Sequence, residues 1–151
     1  MNNEKDNVYD LVEDFYAHDE GWNTLLRQEY AEGFLRMEAW KGKKNSDLYR
    51  SWDNLTMLCL YLGSAETFLG DMNADDFIDC IAWCGRNISE FTPDYKNTQD
   101  FLETCDGLFK YLKGKNAISN DTVPATAAEI LLQEGKMNII LPDGSFDEAN
   151  A

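Results

Sequence analysis

The stretch from Asn73 to Asn120 constrains the fold more than any other part of the chain. It reads as two helices joined by a tight corner. Asn73 is a suitable N-cap, and Asp75 and Asp76 place negative charge at the positive end of the helix dipole. Phe77, Ile78, Ile81, Ala82 and Cys84 recur at helical spacing, so the first helix is predicted to run to about Asn87. Thr92-Pro93 marks the entry to the second, because proline lacks an N–H that has no partner in a first turn. Phe101, Leu102, Cys105, Leu108, Phe109 and Leu112 then form a wide apolar stripe. Gly114 is expected to end this helix in the left-handed conformation, with Lys110, Lys113 and Lys115 near the negative end of its dipole.

The remaining elements supply partners for these apolar faces. Val8, Leu11, Val12, Phe15 and Tyr16 predict a short helix ended by Gly21. Leu26, Tyr30, Gly33, Met37 and Trp40 share one stripe of a helix predicted from about Asn23 to Trp40. Lys41-Gly-Lys-Lys-Asn45 is a basic turn, and Ser46 caps a helix running to about Leu62, where Gly63 is expected to end it. A short turn then buries Phe68 and Leu69. Near the C-terminus, Thr126-x-x-Glu129 matches a capping box ahead of Ile130, Leu131 and Leu132. Met137 to Leu141 is β-prone, and Pro142-Asp-Gly144 is a turn that returns the chain at Phe146, which predicts a small β-hairpin. The predicted fold is all-α: five to six helices in an orthogonal bundle, with a small C-terminal β-hairpin. The expected core holds Phe34, Met37, Leu55, Leu58, Leu62, Phe77, Ile81, Leu102, Cys105, Leu108, Phe109 and Leu112.

Size and charge bound the function. A chain of 151 residues with 44% apolar residues is expected to form one domain over 1–151. It divides into N-terminal helices over 1–44, a helical core over 45–120, and a short helix plus hairpin over 121–151. No apolar run approaches the roughly 20 residues of a membrane span, and the polar, acidic start does not read as an export signal, so the expected compartment is the cytoplasm. The formal charge is −15, from 13 basic and 28 acidic residues, which repels phosphate backbones and argues against DNA. Solubility is the bland reading of this charge, and a basic protein partner or mimicry of nucleic acid the sharper ones; the partner expected is a protein or a second copy of the chain.

The order of elements from Asn45 to Asn120 resembles the N-terminal, SAM-like core-binding domain of tyrosine recombinases of the phage-integrase type. The residues that carry the resemblance are the Ser-capped helix SDLYRSWDNLTMLCLYL, the acidic start LGDMNADDFIDCI, and the aromatic-rich helix with its polar exit, TQDFLETCDGLFKYLKGKNAISND. The resemblance covers roughly half of the chain and implies a helical scaffold of that kind. It does not extend to the recombinase catalytic domain, since only 31 residues follow Asn120. If DNA contact were retained, the resemblance implies Lys41, Lys43, Lys44 and Arg50 as the positions, because they precede or open the Ser46 helix.

Motifs for chemistry are sparse. His18 is the one histidine and lies in an acidic stretch, where a solvent-facing role is expected. Cys59, Cys80, Cys84 and Cys105 all fall inside predicted helices among apolar neighbours and read as buried thiols. Cys80 and Cys84 lie one turn apart, but structural zinc sites draw on loop CxxC spacings. The oxygens between Gly70 and Asp76 lack the alternation of a calcium loop. No catalytic residue, metal site or cofactor is predicted; a metal-dependent enzyme using cysteines and carboxylates is the remote alternative. The functional expectation is a non-enzymatic binding module, with Trp83, Phe91 and Tyr95 at the helical corner as its aromatic contact surface. A nucleic-acid accessory domain is the alternative.

Overall fold

The computed structural model describes residues 7–18, 21–89, 91–92 and 94–133. Among these the architecture is all-α: α1 (Val8–His18), α2 (Trp22–Leu25), α3 (Gln28–Trp40), α4 (Asn45–Ala65), α5 (Ala74–Asn87), α6 (Tyr95–Gly114) and α7 (Val123–Gln133), with a 3-10 turn over Leu69–Asp71. The proposed hairpin between Met137 and Phe146 lies outside the described residues, as do Pro93 and Gly135.

α4 is the central element and packs against α1, α2, α3, α5 and α6; α7 closes the far side by lying across α5 and α6. One continuous apolar cluster runs through α1 and α3 to α7, and its largest fully buried side chains include Phe34, Phe77, Phe101 and Phe109. Every expected core residue is buried except Met37, which is half-buried. Phe77 of α5 meets Phe109 of α6 edge to face, with ring centroids 5.4 Å apart. Aromatic edges of this kind add about 0.5–1.5 kcal/mol beyond the area they bury.

The helix ends show which local signals won. Asn73 caps α5 in a full capping box, accepting from the Asp76 N–H at 2.9 Å while Asp76 accepts from the Asn73 N–H at 2.9 Å. α6 is capped by Asp94, whose carboxylate accepts from the Asn97 N–H at 2.8 Å, and not by Thr92. Thr126 lies inside α7, one turn in, with its hydroxyl donating to the Thr122 carbonyl at 3.0 Å, so the capping box expected there does not form.

Four further expectations are corrected. The helix predicted from Asn23 to Trp40 is two helices, because Leu26 turns extended (φ −151°, ψ 114°) and the buried Tyr16 hydroxyl takes its carbonyl. This split raises the helix count to seven among the described residues, against the five or six expected. Gly63 does not end α4, which runs on to Ala65 and stops where Glu66 adopts φ 56°. Gly114 is helical, and Asn116 takes the left-handed conformation at φ 61° instead. Phe68 is exposed while Leu69 is buried beneath it.

The crossing of α3 and α6 rests on two glycines. A Cβ at Gly33 would lie 2.8 Å from Cζ of Tyr111, and one at Gly107 would lie 3.1 Å from Cε1 of Phe34. Each helix therefore offers a notch to an aromatic ring of the other. Gly33 costs about 1 kcal/mol of helix propensity against alanine, which this close approach explains.

Candidate functional site

Most polar groups inside the bundle are consumed by structure. Asn54 of α4 is buried and donates from Nδ2 to Asp100 Oδ2 and to Thr104 Oγ1, both at 3.0 Å. The Thr104 hydroxyl donates in turn to the Asp100 carbonyl at 3.0 Å. This network ties α4 to α6. The four cysteines converge where α4, α5 and α6 meet, and all four are buried. Burial pushes the Cys59 thiol up to about 12 and holds Cys80 and Cys105 well above the ordinary range. Thiols held protonated in this way are poor nucleophiles. Among the described residues, no group of three or more His, Cys, Asp or Glu side chains is arranged to hold a metal ion.

Among the described residues, two grooves border the start of α6. One lies between α4 and the corner leading into α6, with a volume of about 460 Å³. Its apolar floor (Met57, Ile88, Phe91) is edged by Arg50, Asp53, Asn97 and Asp100. Its polar groups are partly spent: Arg50 pairs with Asp47 at 3.7 Å, and Asp100 already accepts from Asn54. Burial raises the carboxyl of Asp53 above the usual aspartate range.

The second groove, about 350 Å³, runs between α6 and α7. Tyr95, Leu102, Pro124, Ala125, Ala128 and Leu132 make it apolar, and Gln99, Glu103, Asp106 and Glu129 edge it. The sequence explains it. Residues 95, 99, 102 and 106 follow one another at helical spacing along α6, so they share one stripe. α7 buries Val123, Pro124, Ala127 and Leu131 against the core, which turns Ala125, Ala128 and Leu132 toward that stripe's edge. Leu132 is 52% exposed and Tyr95 44% exposed, so apolar surface is left uncovered here.

The structure separates the three aromatics predicted as one surface. Trp83 is half-buried and packs on Tyr61, with centroids 6.0 Å apart. Phe91 is buried, beside Phe101 at 6.4 Å. Only Tyr95 is exposed, and it belongs to the α6–α7 groove. An exposed patch of all three does not form, because Phe91 folds inward to cover the start of α6. The basic positions are also unequal. Lys43 pairs with Glu38 at 3.6 Å and Arg50 with Asp47, whereas Lys41 and Lys44 are exposed with no ion pair among the described residues. His18 is exposed and sits on Asp14.

The residue that periodicity misplaced is Trp40. It falls on the apolar stripe of α3, yet it is 87% exposed. α3 ends at this residue, and the chain reverses through Gly42 at φ 104° into α4. The stripe therefore outruns the surface it packs on. A legible signal was present: Trp40 is followed at once by Lys41, Lys43 and Lys44, a composition suited to a polar end and not to a core.

Comparison with known proteins finds no match to this chain among protein-family models, curated proteins or solved structures.

Proposed function

We propose that the chain is a non-enzymatic binding module that docks a protein partner in the groove between α6 and α7. The observation that carries this reading is the composition of that groove: an apolar floor with Leu132 and Tyr95 uncovered, edged by Glu103, Asp106 and Glu129. An apolar strip bordered by carboxylates fits a segment that presents an apolar side chain flanked by lysines or arginines. The net charge of −15 favours such a basic partner and speeds its approach. The groove is open and apolar, and its carboxylates stand at the edge in water, where acid–base chemistry gains little from the site.

The proposal carries a finer view of the fold. It takes residues 45–120 as a SAM-like core of the recombinase core-binding kind within an orthogonal bundle, supported by the order and lengths of α4, α5 and α6. It takes the cytoplasm as the compartment; no described helix is long and apolar enough to cross a membrane.

The test is a photo-reactive side chain placed at position 132 and, as a control, at position 11 on α1. Covalent adducts to a basic protein segment are expected at 132 alone and are expected to vanish with Glu103→Lys and Glu129→Lys. Equal adducts at both positions, or turnover of any substrate that depends on one side chain, would sink the reading.

A further inference from the structure

The groove has a complementary knob on the same chain. Trp40 stands at the end of α3 as the most exposed large apolar side chain described, at 87%. Lys41 and Lys44 beside it are exposed and have no ion pair among the described residues. A tryptophan left in water this way forgoes the burial that dominates interface energetics. The groove offers the opposite features: an apolar floor of about 350 Å³ and an edge of Glu103, Asp106 and Glu129. Asp106 is held by Lys110 at 2.7 Å, and Glu103 accepts from Gln99 at 3.2 Å, so the edge carboxylates are already set in place. Trp40 cannot occupy its own groove while it is this exposed, so the fit is between molecules.

We infer that the partner is a second copy of this chain: Trp40 of one copy inserts into the α6–α7 groove of the next, and Lys41 and Lys44 meet the carboxylates at its edge. This identifies the occupant of the groove and rests on the docking role proposed for it. Knob and groove are different patches on one chain, so the contact is head-to-tail and builds an open chain of copies or, where the rotation closes, a ring. A single tryptophan with two lysines covers far less than the roughly 1,200 Å² of a stable interface, so the association is weak and reversible. Each copy carries −15 overall, so the local pairing of Lys41 and Lys44 with the groove's carboxylates works against a net repulsion that salt screens.

The test is sedimentation equilibrium of the full chain up to concentrations on the order of 1 mM, in low salt and in roughly 0.5 M salt, where screening acts within a few ångströms. The weight-average mass is expected to rise with concentration in the higher salt, where the repulsion between copies of charge −15 is screened. Trp40→Ala and Leu132→Lys are each expected to weaken association at least tenfold. Mixing these two variants is the decisive arm. The first keeps only a groove and the second only a knob, so the mixture is expected to form a 1:1 dimer and stop. Should Leu132→Lys disturb the fold, as read by circular dichroism, Glu103→Lys with Glu129→Lys replaces it. Both sites are exposed.

A monomer at all concentrations, or association indifferent to Trp40→Ala, overturns the inference. So does a mixture of the two variants that stays monomeric. If Trp40 fluorescence shifts on adding a single-stranded oligonucleotide while the chain stays monomeric, the knob belongs to nucleic acid and the inference fails. If adducts at position 132 persist in a monomeric chain, the groove's docking role stands and only its self-partner is lost. Adducts internal to residues 134–151 would give the groove to the chain's own end and remove both readings.

Discussion

α6 presents two stripes with the same spacing and opposite fates. Residues 100, 104, 107 and 111 step along one side, and residues 95, 99, 102 and 106 step along another, each by four, three and four. The first stripe is closed: Asp100 and Thr104 are bonded to Asn54, Gly107 receives Phe34, and Tyr111 lies over Gly33. The second carries the groove, with Tyr95 exposed at one end, although Leu102 is buried and α7 lies across α6 beside it. Periodicity says that both faces meet something. It does not say how closely. The difference is made by glycine on one side and by polar side chains on the other: a notch admits a ring at van der Waals distance, while Gln99 and Asp106, the latter bound to Lys110, flank the buried Leu102.

That comparison can be broken most severely from the closed side. Phe34→Ala is expected to cost about 3–5 kcal/mol in urea unfolding, since the ring is fully buried over Gly107. Leu132→Ala on the open side is expected to stay within about 0.5 kcal/mol, as a surface change does. Comparable losses for the two would mean that the groove is covered in solution. Asn54→Leu comes next, with an expected loss of about 1–3 kcal/mol, because the Asp100 and Thr104 oxygens lose a buried donor.

Gly33→Ala sharpens the same contrast by its sign. With Tyr111 in place it is expected to destabilise by about 1–3 kcal/mol, the cost of overpacking. In a Tyr111→Ala background the obstruction is gone, and the same substitution is expected to stabilise by up to about 1 kcal/mol through helix propensity. Additive effects in that double-mutant cycle would mean that the ring is not seated on the glycine.

The smallest expected effect concerns pH. Burial raises the Asp53 carboxyl in the folded chain, so the folded state binds that proton more readily than the unfolded state. The penalty is present at neutral pH and fades as pH falls through the raised value. Asp53→Asn is therefore expected to raise the unfolding midpoint at pH 7, with a gain that shrinks on acidification. A gain independent of pH would assign the effect to something other than ionisation.

Much of the helical framework was legible where several local signals coincided. At α5, the cap at Asn73, the acids at Asp75 and Asp76 and the stripe from Phe77 agree, and the helix forms where they place it. Where one signal stood alone it was overruled. Gly63 did not end α4: the helix runs two residues further, to Ala65, and a Cβ at position 63 would meet only Leu25, at an ordinary 3.8 Å. The break at Leu26 was illegible because its cause is not local: the Tyr16 hydroxyl ten residues earlier takes the carbonyl. The site was less legible than the fold. Tyr95 was found, but Phe91 turned inward and Trp40 outward, because a stripe read along one helix does not show where the neighbouring helix ends.

The paired notches at Gly33 and Gly107 act as a vernier. With one notch, α3 would have several tolerable settings along α6, differing by a turn. With two, each facing the other helix's ring, a slide of one turn sets both rings against full side chains at once. The two glycines therefore favour one axial offset of α3 along α6. The chain needs no long-range ion pair to decide how its first half is threaded against its second.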